Sequence, residues 1–251
     1  MYKKVLSFMV CASVLAPFYA QAYEAGEVIL RGGVVLMEPR EDSDPLYLNA
    51  NILGVGLAQA PLAGTKIGVD NEFTLAGTLA YMLNDSWGLE LVIGAPAEFT
   101  IPVKGLESLG VKKAGTTDVI PLIVSLQHYF DLPNERVQPY VGVGFNYTVL
   151  TDETASNELE GFLAADDQDL QFDNSFSFNL NVGVDFKLDD RWLLNASVYY
   201  VDLETDAKLK FTNSQGIGEL VTTFPLPATG TIEASLEAPT WAYFLTAGYR
   251  F

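Results

Sequence analysis

The stretch Ser175-Phe176-Ser177-Phe178-Asn179-Leu180-Asn181-Val182-Gly183-Val184-Asp185-Phe186-Lys187-Leu188 decides the fold. Its even positions are all apolar, and its odd positions carry serine, asparagine, glycine, aspartate and lysine. Strand side chains alternate faces with period two, whereas a helix with period 3.6 would scatter the same apolar set around its axis. Working outward, Pro139, Val141, Val143, Phe145, Tyr147 and Val149 alternate with Tyr140, Gly142, Gly144, Asn146 and Thr148. Trp241, Tyr243, Leu245, Ala247, Tyr249 and Phe251 alternate with Ala242, Phe244, Thr246, Gly248 and Arg250. Noisier segments at Glu27–Met37, Phe73–Leu83, Trp87–Ile101, Val119–Phe130 and Trp192–Phe211 bring the total to eight predicted strands.

The connections between these segments alternate in length. Glu38–Asp70, Val103–Asp118, Asp152–Asn174 and Asn213–Gly230 are long, whereas Asn84–Ser86, Asp131–Val137 and Asp189–Arg191 are short. An even strand number, with long loops on one rim and tight turns on the other, is the pattern of bacterial outer-membrane barrels. The expected fold is all-β: an eight-stranded antiparallel transmembrane β-barrel with long extracellular loops and short periplasmic turns. Trp87, Phe130, Trp192, Tyr249 and Phe251 lie beside the short turns and read as an interfacial girdle. Ordinary strand composition also favours aromatics.

Lys3 and Lys4, the apolar stretch Val5–Ala16 and the triplet Ala20-Gln21-Ala22 match a secretory leader with its cleavage site. Residues 1–22 are expected to be removed, leaving residues 23–251 as one barrel domain. Leu46–Thr65 lacks charge but is interrupted by Asn49, Asn51, Gln59, Pro61 and three glycines, which argues against a spanning helix.

Of 251 residues 49% are apolar and 18% charged, enough for one large core and incompatible with wholesale disorder. Acids outnumber bases 32 to 14, which argues against a nucleic-acid partner, whose phosphates need a basic face. The single Cys11 and single His128 exclude a disulfide framework, a cysteine zinc centre and a multi-histidine metal site. No nucleophile elbow, phosphate loop or dinucleotide fingerprint is present. The expectation is no catalytic residue, no cofactor and no metal ion.

Four segments in order carry a family resemblance: Glu24-Ala25-Gly26-Glu27-Val28; Tyr81-Met82-Leu83-Asn84-Asp85 running into Trp87-Gly88-Leu89-Glu90-Leu91; Gln138–Thr148; and Ala247-Gly248-Tyr249-Arg250-Phe251. Together they resemble the OmpW family of small outer-membrane barrels, along the whole mature length. The resemblance implies an eight-stranded barrel in Gram-negative outer membranes, associated with passage of small hydrophobic molecules; one relative assists alkane uptake. It also implies a lateral opening that releases cargo into the outer leaflet, with Pro121 at the matching position.

The residues are compatible with that. Eight strands leave an interior just wide enough for side chains, which excludes an open porin. On the seventh strand Trp192, Leu194, Ala196, Val198 and Tyr200 face lipid; beyond Tyr200 the even positions turn polar and the odd ones apolar. Val201, Leu203, Leu209 and Phe211, with Leu53 and Leu57 of the first loop, therefore form a candidate hydrophobic funnel above the bilayer. The alternative is that they pack beneath their own loops. Leu159, Phe162 and Leu163 have the spacing of a short amphipathic helix. Pro96 and Pro102 in the third strand and Pro121 in the fourth cannot donate to a ladder. They mark either broken pairing between strands three and four, a candidate lateral opening at Pro96 and Pro121, or a local bulge. Arg31, Glu90, Asp185, Lys187 and Arg250 fall on inward parities, predicting an ion-paired network that plugs the periplasmic half. The eight acids of the third loop read as a solvated face or a divalent-cation site near lipopolysaccharide.

The expected partners are outer-membrane lipid and lipopolysaccharide, small apolar compounds, and the barrel-assembly machinery through the terminal strand ending in Phe251. The barrel is expected to be a monomer. A structural or adhesion barrel whose loops bind partners without transport is the rival reading.

Overall fold

The computed structural model describes residues 23–40, 42–52, 55–56, 60–134, 136–213 and 228–251. The leader expected over residues 1–22, and Leu53 and Leu57, lie outside the described residues. Eight antiparallel strands close on themselves: β1 Val28–Pro39, β2 Glu72–Met82, β3 Trp87–Gly94, β4 Lys113–Tyr129, β5 Val137–Ala155, β6 Ser175–Lys187, β7 Trp192–Val201 and β8 Thr240–Arg250. Closure is made by β1 and β8, paired without a slip from Ile29↔Arg250 to Pro39↔Thr240. No edge is left along that seam, as a strand structure in hydrocarbon requires.

The alternation that defines the strands also sorts them by solvent. On β6, Phe176 is 70% exposed and Val182 54%, whereas Asn179 and Asp185 are fully buried. Leu75, Phe145 and Leu245 likewise point outward, while Arg31 and Glu90 point in. Apolar groups outside and charges inside is the reverse of a water-soluble core, and it fits a wall facing lipid. At the rim of the short turns Trp192 meets Tyr249 and Tyr249 meets Phe251, while His128 lies between Trp87 and Phe130 with ring centroids 4.7 and 4.8 Å away. The turns are closed by their own side chains. Asn84 Oδ1 accepts from the N–H groups of Ser86 and Trp87, and Asp189 Oδ1 accepts from those of Trp192 and Arg191. Those two donors, Trp192 first, hold the Asp189 carboxyl below its ordinary value.

Among the described residues, the long connections carry strands of their own. Strands Tyr47–Ile52, Asp167–Phe172, Glu204–Asn213 and Ala228–Glu237 build a second, seven-stranded sheet with the short pieces Asp42–Ser43, Val55–Gly56 and Ala60–Pro61. The seventh strand, read from sequence as one run from Trp192 to Phe211, therefore divides at Asp202–Leu203. Below the break Val201 pairs with Asn179 and Thr240; above it Glu204–Asn213 pairs with Asp167–Phe172 and Ala228–Glu237. A strand that changes sheets must bend, and the bend falls where its partners change. Parity survives it: Val201, Thr205, Leu209 and Phe211 are all buried.

Helix α1, Asn157–Leu163, seals the lobe. Ser156 caps it by accepting from Leu159 N–H at 3.1 Å, and Leu159 and Leu163 turn into the apolar cluster of the outer sheet. The Glu158 carboxylate accepts from the backbone N–H groups of Lys112 and Lys113 at 2.7 and 3.3 Å, tying the helix to the chain entering β4.

Candidate functional site: an apolar chamber above a polar plug

The lower interior is a polar plug centred on Arg31. Its guanidinium grips Asp185 with two nitrogens, Nη2 to Oδ2 at 2.6 Å and Nε to Oδ1 at 3.2 Å, and donates Nη1 to Glu90 at 2.9 Å. Each carboxylate is closed by further donors. Asp185 accepts from the Tyr23 hydroxyl at 2.6 Å and Asn195 Nδ2 at 2.8 Å, and Glu90 accepts from Gln127 Nε2 at 2.7 Å and the Tyr199 hydroxyl. All of these residues are buried. A buried charge left single costs several kcal/mol, so complete pairing is what makes this layer tolerable inside a barrel.

The five charged residues singled out from the sequence occupy two tiers. Arg31, Glu90 and Asp185 form the buried centre. Arg250 instead pairs with Glu27 at 2.5 Å nearer the periplasmic rim, and Lys187 stands 4.8 Å above the Tyr23 ring. Tyr23 joins the tiers: Arg250 lies 5.0 Å from its ring centre while its hydroxyl reaches Asp185. Sequence reasoning missed Tyr23, Tyr129, Tyr140 and Tyr199, which supply much of this layer. For Tyr129, Tyr140 and Tyr199 inward parity was the available signal, masked by the girdle role that aromatics also play; Tyr23 precedes the first strand and carries no such signal. Tyr140 also covers Gly183, its partner on β6; a Cβ there would stand 2.4 Å from the ring.

Directly above the plug the interior turns apolar. Two residues on from Glu90 stands Val92, and two on from Tyr199 stands Val201. With Val35, Ala76, Ile123 and Phe244 they surround a chamber of about 80 Å³. Tyr199 packs beneath the lining, its ring 4.9 Å from that of Phe244. Ile101 and Phe172 stand between this chamber and a second, smaller apolar void of about 40 Å³ in the outer lobe.

Of the candidate funnel residues, Val201 and Leu203 line the lower chamber, and Leu209 lines the upper void. Phe211 packs in the outer cluster, its ring covering Gly230.

The wall is irregular beside the chamber. Between Leu122↔Ile93 and Val119↔Ala97, the three residues Gly94, Ala95 and Pro96 oppose Ile120 and Pro121, after which pairing with strand Ala97–Lys104 resumes. Of the two alternatives the prolines left open, strands three and four thus carry the bulge. The interruption lies on the other side of Pro96. β2 pairs with β3 up to Ala76↔Gly94 and Leu75 accepts from Ala95 N–H, but β2 and Ala97–Lys104 are not paired. The connection is remade at Asp70 N–H to the Thr100 carbonyl, 3.2 Å. Phe73 and Leu75 flank the interruption on the lipid side, and Pro121 faces the chamber.

The profile of the OmpW family matches residues 24–225. The chain belongs to the OmpW family. Outer membrane protein W of Vibrio cholerae is 29% identical over 94% of this chain and 93% of its own. The dibenzothiophene metabolism operon protein PahQ of Pseudomonas aeruginosa is 28% identical over 66% of this chain and 68% of its own. Among solved structures, the outer membrane protein OprG of Pseudomonas aeruginosa superposes with a TM-score of 0.72 at 27% identity, covering 92% of this chain and 98% of that one. Membership places this OmpW-family barrel in the Gram-negative outer membrane.

Proposed function

We propose that this barrel takes small hydrophobic molecules from outside the cell into the apolar chamber and releases them sideways into the membrane. The observation that carries the reading is the chamber itself: apolar, inside the barrel, and standing over an ion-paired polar plug. Transfer of an apolar molecule from water into such a site is favourable, and the charged floor opposes its passage to the periplasm. The unpaired stretch between β2 and Ala97–Lys104, beside Pro96, supports a lateral exit at membrane level. That one relative is named for dibenzothiophene metabolism, an apolar aromatic compound, accords with this class of cargo.

The test is naphthalene uptake by deletion cells carrying wild type, Ala76→Phe or Leu203→Asp at matched outer-membrane levels. Ala76→Phe fills the chamber from β2, and Leu203→Asp puts a charge at its mouth. Wild type should raise uptake over the deletion strain and both variants should return it to the deletion level. No gain from wild type, for naphthalene or any other apolar compound, would replace transport by the adhesion reading.

A further inference from the structure

The chamber is apolar except for a few hydroxyls and one amide, and their hydrogen bonds are unevenly closed. Thr117, Thr205 and Thr240 each donate to a backbone carbonyl, of Thr151, Asp173 and Ala238 respectively, at 2.6 to 3.2 Å. These hydroxyls have a partner away from the void. Asn146 differs. It is fully buried on the inward face of β5, with Nδ2 2.8 Å from Thr148 Oγ1 and 3.3 Å from Ser177 Oγ, while Oδ1 has no partner within the protein. Of the described residues whose buried side chains leave a polar atom unpartnered, Asn146 is the one that lines the chamber.

An amide has an accepting and a donating end, and both neighbours of Asn146 sit at one end. Hydroxyls donate or accept, so Thr148 and Ser177 satisfy whichever end faces them and leave the other open. An open amide end in an apolar enclosure is costly unless something fills it, and sites built on such groups discriminate ligands that carry the complementary atom from those that lack it. A hydroxyl complements either end.

We propose that Asn146 makes the chamber selective for apolar molecules bearing a single hydroxyl, such as alkylphenols and hydrophobic alcohols, over the corresponding hydrocarbons. This rests on the uptake reading and specifies its substrate class. The recognition is one neutral hydrogen bond in a dry site, whose loss weakens binding about fivefold.

The experiment compares 4-ethylphenol with ethylbenzene on the full barrel in lipid nanodiscs, following the Asn146 side-chain amide and the methyls of Val35 and Val92 by NMR. Both compounds should shift the methyls, and 4-ethylphenol alone should move the amide. In Asn146→Leu, affinity for 4-ethylphenol should fall about fivefold while that for ethylbenzene holds. If both compounds shift the methyls and neither moves the amide, or if Asn146→Leu weakens them equally, the hydroxyl selectivity is overturned and the chamber stands. If no chamber methyl responds to either compound, the uptake reading falls and this inference with it. Wild type alone decides these outcomes should Asn146→Leu fail to fold.

Discussion

The two halves of this barrel's interior share one inward parity and have opposite chemistry. On β3 the inward residues pass from Glu90 to Val92, and on β7 from Asn195 through Tyr199 to Val201. The lower half is filled by Arg31 and the polar groups that saturate it; the upper half buries apolar side chains around a chamber of about 80 Å³. A barrel of eight strands can be filled completely by side chains. That the plug is closely paired and the chamber is not separates a structural layer from one with room for a ligand.

Breaking the plug should cost most. Arg31→Met leaves Glu90 and Asp185 as buried, uncompensated carboxylates and is expected to destabilise the barrel by about 3–5 kcal/mol in denaturant unfolding from lipid vesicles. Gly183→Ala tests the same layer sterically: the added methyl displaces Tyr140 from above β6, at a cost of about 1–3 kcal/mol by the same measurement. A loss below about 0.5 kcal/mol, the scatter of neutral surface changes, would mean that the ring moves freely.

The chamber should be more forgiving. Ile123→Val removes one methyl from a wall that already borders empty space, so its cost should sit near the low end of about 0.5–1.5 kcal/mol, with naphthalene uptake retained. A loss as large as that of Arg31→Met would show that the upper half is as tightly determined as the lower.

The smallest effect lies outside the membrane. The backbone N–H groups of Lys112 and Lys113 hold the Glu158 carboxyl below its ordinary value of 4.5. Its folded value is lowered, so the stabilisation is complete above the unfolded value near 4.5 and is lost as pH falls through the lowered one. A carboxyl-carbon NMR titration of Glu158 should give a midpoint below 4.5, moving toward that value in a variant whose outer lobe is opened by Leu163→Asp.

Much of the barrel is legible in the sequence because period two is a local property. Ser175–Leu188 shows its two faces without reference to any partner. The outer sheet was hidden for the converse reason. Tyr47–Ile52 does alternate, Leu48, Ala50 and Ile52 against Asn49 and Asn51, but so short a run inside a long connection names no partner, and what completes the strand is the ladder with Ala228–Glu237, remote in sequence. The break at Asp202–Leu203 depends on a change of partners that parity does not register. Pro96 signalled an irregular wall, but a missing donor does not say which neighbour loses the bond; the bulge fell toward β4 and the interruption toward β2. Helix α1 was readable from Leu159, Phe162 and Leu163 because their spacing is again local. Asn146 was visible only as a polar residue on an inward face, since its unpartnered oxygen is a matter of three-dimensional neighbours.

The central claim is that the upper interior takes up an apolar ligand and the lower does not. Intermolecular NOEs from naphthalene to methyl-labelled barrel in nanodiscs of deuterated lipid test it most directly. The account predicts contacts to Val35, Val92 and Ile123 of the chamber and none to Ile29 or Leu193 of the plug layer. Contacts confined to the lipid-facing methyls of Leu79 and Leu245 would contradict it.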